Sequence, residues 1–326
     1  MVSNEKAPEV NKDLFKTHMI RVSCIVMLLS FVTVLSQENK PQLSITIDDP
    51  STEATGNMTW MQRDDAILDA IEKNGINAAL FVCGKRVDNP EGMVLLSKWN
   101  DKGHMICNHS YSHGYFHSKK LSLQAFEDDF LKGDSLINGY SGYTKLFRFP
   151  YLKEGDTPEK RDGFRDFISK HGYRNGYVTI DASDWYIDKR LVDTLKSTPD
   201  IDITPFKEYY ISHIYNRAMF YDSLAVALTG RHIKHNLLLH HNFINASFLG
   251  ELLIHFKKYG WELINASDAF KDDIYNSQPQ ILPAGESLVW ALAKESGNYE
   301  SMLRYPGEDS QYEEIPLNNF LKTYYK

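Results

Sequence analysis

Cysteine is scarce in this chain, with three in 326 residues, at positions 24, 83 and 107. That count rules out a disulfide-stapled scaffold. Cys24 sits inside an apolar N-terminal run, so only Cys83 and Cys107 could pair. Both close apolar strand-like runs, where buried thiols are expected. Net positive charge is also lacking: the formal value is −7, which argues against nucleic acid or an anionic membrane as the main partner. No apolar run reaches the ~20 residues of a membrane span. The nucleophile elbow G-x-S-x-G is missing too, since GYSG at 139–142 is one residue short of that spacing. No Gly/Ser/Pro-rich linker and no internal repeat divides the chain.

What is present begins at the N-terminus. Val22–Leu35 is an apolar run of fourteen residues preceded by Lys12, Lys16 and Arg21. It fits the apolar core of a signal peptide covering 1–36, with cleavage before Gln37 and with Met19 opening a tidier version of the same signal. An uncleaved N-terminal anchor is the alternative. Either way the rest of the chain is expected to be exported, to the periplasm or the outside, with no stable membrane span in the mature protein. Roughly 290 residues then remain, a comfortable size for a barrel of alternating strands and helices, and 42% hydrophobic residues suit an ordinary core.

The chain alternates strand and helix patterns. Leu43–Pro50 reads LSITIDDP, in which Leu43, Ile45 and Ile47 alternate with Ser44 and Thr46 as in a short strand. Further strands are expected at Asn77–Val82, His104–Cys107, Lys145–Phe149, Gly176–Ile180, Asn236–His240 and Trp261–Ile264. Helical spacing fills Gln62–Asn74, Gly92–Lys102, Ser122–Tyr140, Thr157–His171, 201–234 and Phe243–Tyr259. This rhythm makes parallel strands with helical crossovers, hence an α/β barrel or doubly wound sheet over 37–277. Residues 278–326 read as an extension packed on that barrel.

Active sites of parallel α/β folds lie at the carboxyl ends of the strands. Those ends carry Asp48 and Asp49, then His109 and His113, then Arg148 with Tyr151, then Asp181 with Asp184 and Trp185, then His240. Two adjacent carboxylates raise each other's pKa unless a cation is near, although a bare Asp-Asp-Pro is also a common solvated turn. His109 and His113 stand four apart, so both imidazoles can face one point, and with one carboxylate they make a site that leaves a position open for water. Taken singly, each of these histidines also reads as a structural residue bonded to backbone. Their gathering at strand ends favours the site.

In order and spacing these stretches resemble the polysaccharide deacetylases with the NodB homology domain, the family 4 carbohydrate esterases. TIDDP (46–50), HSYSH (109–113), RFPY (148–151), DASDW (181–185) and LLLH (237–240) look like the family's five motifs. The resemblance implies a distorted (β/α)7 barrel and a hydrolase that removes N-acetyl or O-acetyl groups from a glycan. It implies a divalent metal, zinc before others, on Asp49, His109 and His113. It assigns Asp48 as general base, Arg148 as its partner and Tyr151 as a backbone donor to the oxyanion. Trp185 and Leu238 would form the pocket for the acetyl methyl, and His240, tuned by Asp184, would be the general acid. Two positions depart from the pattern: the glycine between the second Asp and Pro is missing, and His241 stands where the family has Asp. A sugar-binding homologue without turnover and an amidase acting on a non-sugar amide are the other readings. Asn108 opens an Asn-His-Ser sequon, but a glycan there would block the site.

Overall fold

The computed structural model describes residues 40–282, 286–304 and 310–325. The signal segment expected at 1–36, with Cys24, lies outside them. Among these residues seven strands form one parallel sheet: β1 Gln42–Asp48, β2 Ala79–Val82, β3 Met105–Asn108, β4 Tyr143–Phe147, β5 Arg174–Asn175, β6 Lys234–His240 and β7 Glu262–Leu263. Their order is β5-β4-β3-β2-β1-β6, with β7 joined to β1 at Gln42 and Leu43. Parallel neighbours need long crossovers, and helices supply them. The outcome is the expected distorted α/β barrel. It stays open between β5 and β6, where the isolated bridge Ile180–Leu237 crosses the gap.

β1 is the centre. It pairs with β6 along its whole length, from Gln42–Lys234 to Asp48–His240, and with β2 at Thr46, Ile47 and Asp48. Leu43, Ile45 and Ile47 are fully buried in the main core, together with helical residues such as Ile67 and Leu252. Alternate side chains point the other way, and Ser44, Thr46 and Asp48 are buried as well. Arg148 donates from one nitrogen to both Thr46 Oγ1 and Asp48 Oδ1, which places that second face in the barrel interior. The period-two pattern therefore separates a helix-covered face from a polar interior, rather than core from water.

Local capping fixes several helix starts. Thr59 and Gln62 form a reciprocal capping box on the helix Trp60–Lys73. Ser122 caps Leu123–Ile137, and Asn242, two residues past β6, caps Phe243–Lys258. A second, aromatic cluster of Phe116, Phe126, Phe130, Phe147, Phe149 and Phe164 packs beside β4. Cys83 and Cys107 are buried free thiols, as expected. No helix among the described residues is long and apolar enough to cross a membrane.

Three elements differ from the sequence reading. The strand expected at Gly176–Ile180 is displaced to Arg174–Asn175. Gly176 lets the chain pass close to Phe81, whose ring would lie 2.6 Å from a Cβ there, and beyond it the backbone meets β6 at Thr179 and Ile180, with one isolated bridge, Ile180–Leu237. The long helix is Thr204–Thr229, ended by Gly230 at φ 76°. A helix over Asp184–Ser197 was not foreseen, because Ser183 before it makes no side-chain cap hydrogen bond. The C-terminal helices Leu288–Ser296 and Ser310–Leu321 bury Leu288, Val289 and Leu317 in the same main core as the barrel.

Candidate active site

The carboxyl ends of β1, β3, β4 and β6 surround a cleft of about 640 Å³. Asp48 is the last residue of β1, and Asp49 follows at φ 58°. Aspartate tolerates this left-handed conformation better than most residues. The turn thus forms without the glycine that the resemblance led one to expect. The same φ recurs at His113 and Tyr151, so three of the predicted residues sit on tight turns that aim them into the cleft.

Asp49, His109 and His113 each offer a ligand atom, and these atoms lie within 4.8 Å of one another. The His109 ring meets the Arg148 carbonyl through Nδ1 at 2.8 Å, so a proton on Nδ1 leaves the Nε2 lone pair for a cation. Burial, with His113 nearby, pushes His109 down to about 3, and burial lowers His113 as well, so both rings are neutral ligands at pH 7. Burial alone would raise the Asp49 carboxyl. The neighbouring His113, His109 and Arg86 side chains outweigh it and hold Asp49 below its ordinary value. Its Oδ1 is buried without a hydrogen-bond partner among the described residues, the condition of a group built for a cation. Two imidazoles, one carboxylate and this orphaned oxygen fit a divalent metal.

Beside that trio stands Asp48, 3.7 Å from His109 Nε2 and 2.6 Å from Arg148. The Arg148 guanidinium is locked by Gly176 O, by Thr46 and by the Phe81 ring, 3.8 Å below it. Burial raises the Asp48 carboxyl to about 6, with Arg148 and His240 opposing. Across the cleft, His240 Nδ1 contacts Asp184 Oδ1 at 2.7 Å. Asp184 also accepts from the His240 backbone, Asn242 and Asn245. Burial works against a charged His240, but the Asp184 carboxylate overrides it and lifts the ring to about 9. A base that is ionised and an acid that is protonated thus coexist near neutral pH.

The remaining predicted residues fall in the same place. Tyr151 is half exposed, its ring edge-on to His113 at 4.7 Å, while Trp185 and Leu238 line the wall of the cleft. His241 is different: fully buried, it accepts from Arg63 at 3.2 Å and faces Asp64 at 3.3 Å. It therefore braces Arg63, which holds the loop after Asp49 through Ser51 O and Glu53 O, while His240 is the ring paired with Asp184. Asn108 is buried and hydrogen-bonded to Phe130 O, so its sequon carries no glycan in the folded protein. Sequence reasoning missed Arg86, 3.3 Å from Asp49, and the apolar partners of Leu238, which are Leu152 and Val178. Arg86 follows β2, a strand end whose charged residues were readable by the same rule that found the others.

Fold and cleft together define an α/β-barrel protein whose strand ends gather an Asp49–His109–His113 trio that could hold a metal beside an Asp48 carboxyl and a His240–Asp184 pair. Residues 36–176 match the polysaccharide deacetylase family, and this part of the chain is a polysaccharide deacetylase domain. Among solved structures, a family 4 carbohydrate esterase pseudoenzyme from Bacillus anthracis is 19% identical, with 72% of this chain and 66% of that chain covered and a TM-score of 0.50. A mutant of that pseudoenzyme with restored enzymatic activity is 20% identical, covering 72% and 69%, at a TM-score of 0.50. The peptidoglycan deacetylase PdaC from Bacillus subtilis is 22% identical, covering 71% and 91%, at a TM-score of 0.47. At such identities the likeness is one of fold. No curated protein matches the sequence.

Proposed function

We propose that the chain is an exported, metal-dependent hydrolase that releases acetate from an N-acetylated (or O-acetylated) glycan. One observation carries this reading: the Asp49, His109 and His113 trio stands beside an ionisable Asp48 and a protonated His240 in a single cleft. Asp49, His109 and His113 would hold the metal, zinc fitting this donor set, and a bound metal supplies Lewis acidity and a lowered water pKa. Asp48, charged and oriented by Arg148, takes the proton of the attacking water as its oxygen bonds to the acetyl carbon. The Tyr151 backbone N–H, on the φ 58° turn, would receive the oxyanion. His240 then gives its proton to the departing amine as the C–N bond breaks, leaving acetate and a free amino sugar. Trp185 and Leu238, with Leu152, offer the apolar wall for the methyl group. Export is proposed from the run Val22–Leu35 alone.

The test is acetate release from a panel of N-acetylated oligosaccharides and peptidoglycan, with metal-stripped and zinc-restored protein beside Asp48→Asn. Zinc-restored release that the substitution abolishes supports the proposal. Zinc bound without release from any substrate would assign a binding protein instead.

A further inference from the structure

The seam between β5 and β6 is not left bare. Residues of the C-terminal extension run along it: the Leu288 N–H donates to Val178 O at 2.7 Å and the Ser287 hydroxyl to Thr179 O at 2.8 Å. Glu286, buried, pairs with Lys153, two residues past Tyr151. Farther on, the helix Ser310–Leu321 delivers buried Glu313 to Ser183, the residue before Asp184. Glu313 pairs with Arg217, accepts from the Ser183 hydroxyl at 3.5 Å and lies 3.5 Å from His213 Nε2. Burial pushes His213 down to about 3, and the neutral ring, protonated at Nε2, donates to Ala182 O at 3.0 Å. Arg190, on the helix that Asp184 opens, donates to Asn318 at 2.7 Å.

Ala182 and Ser183 are the two residues before Asp184. Ser183 holds φ 52° with no cap hydrogen bond of its own to the helix it opens. A non-glycine residue is strained there and persists only where its surroundings impose it. Those surroundings include Glu313 and His213. We propose that the extension, residues 286–304 and 310–325, is a clamp on the catalytic face: it closes the barrel seam and fixes the 182–184 turn, with Glu313 as a positioning residue for the Asp184–His240 pair. The catalytic part rests on His240 being the acid.

The experiment compares the full zinc-loaded chain with Glu313→Ala, Ser183→Ala, Glu313→Gln and a core control, Leu68→Ala. It reads backbone hydrogen exchange over 180–186, the downfield imidazole proton of His240, and kcat against KM. Both alanine variants should speed exchange over 180–186 by ~tenfold and broaden the imidazole proton. They should lower kcat ~10–100-fold with KM within about twofold, as misplacement of a catalytic group does. Glu313→Gln, which keeps an acceptor for Ser183, should recover part of each, and Leu68→Ala should move neither local signal. Unchanged exchange and an unchanged imidazole proton in both alanine variants would overturn the clamp. If the wild type releases no acetate, the deacetylase reading falls alone, because exchange and the imidazole proton still decide the clamp.

Discussion

In the proposed reaction Asp48 and His240 act as a matched pair, and their environments set a pH window. Activity should rise as Asp48 ionises around 6 and fall as His240 loses its proton around 9, giving a bell-shaped kcat/KM profile. A cation bound beside Asp48 favours its carboxylate and moves the acid limb to lower pH. Asp184→Asn removes the charge that holds the imidazolium. The alkaline limb should then shift to lower pH, with kcat down ~10²-fold, and an unshifted limb would show that another group is the acid. Most of these side chains were legible, because a strand-end position and a chemical type are both written in the sequence. Arg86 was overlooked although it follows β2; the strand-end rule marks its place, but its partner Asp49, 3.3 Å away, is set by a contact that no local pattern records.

Elements were legible where a local signal marked them. Side-chain caps at Thr59, Ser122 and Asn242 fix the starts of three helices whose apolar spacing was readable. The helix Asp184–Ser197 has no such cap, and its first turn holds motif residues that read as a loop. Residues 176–180 carry a strand-like pattern, yet they are buried by the seam and extension rather than by a ladder. Burial writes the same apolar residues in either case. At the head of β3, His104 accepts the Ala78 N–H on Nδ1 at 3.1 Å, tying β2 to β3. Burial pushes its ring to about 4 from an ordinary 6.5, so the unfolded chain binds more protons between those values. That stability is complete above about 6.5 and is lost as pH falls toward 4, by ~2–3 kcal/mol. Urea midpoints should therefore fall across that range, and His104→Asn, which keeps an acceptor without titrating, should flatten the slope.

For the whole molecule, the decisive fact is that the extension shares the barrel's core. Leu317 is fully buried in it, and Leu317→Ala should cost ~2–4 kcal/mol and lower the Tm. Tryptophan fluorescence and far-UV circular dichroism should still lose structure together, as one cooperative unit does. Two separate transitions would show that the extension is a dispensable appendage.

The open seam also has a consequence in time. Ribosomes release the chain from its N-terminus, so β1 to β6 emerge before the residues that cover the gap between β5 and β6. Until Glu286, Ser287, Leu288 and the last helix arrive, Val178 and Thr179 keep bare carbonyls and the neighbouring apolar side chains stay wet. A chain that stops before residue 286 would present its strand-end motifs without a finished wall.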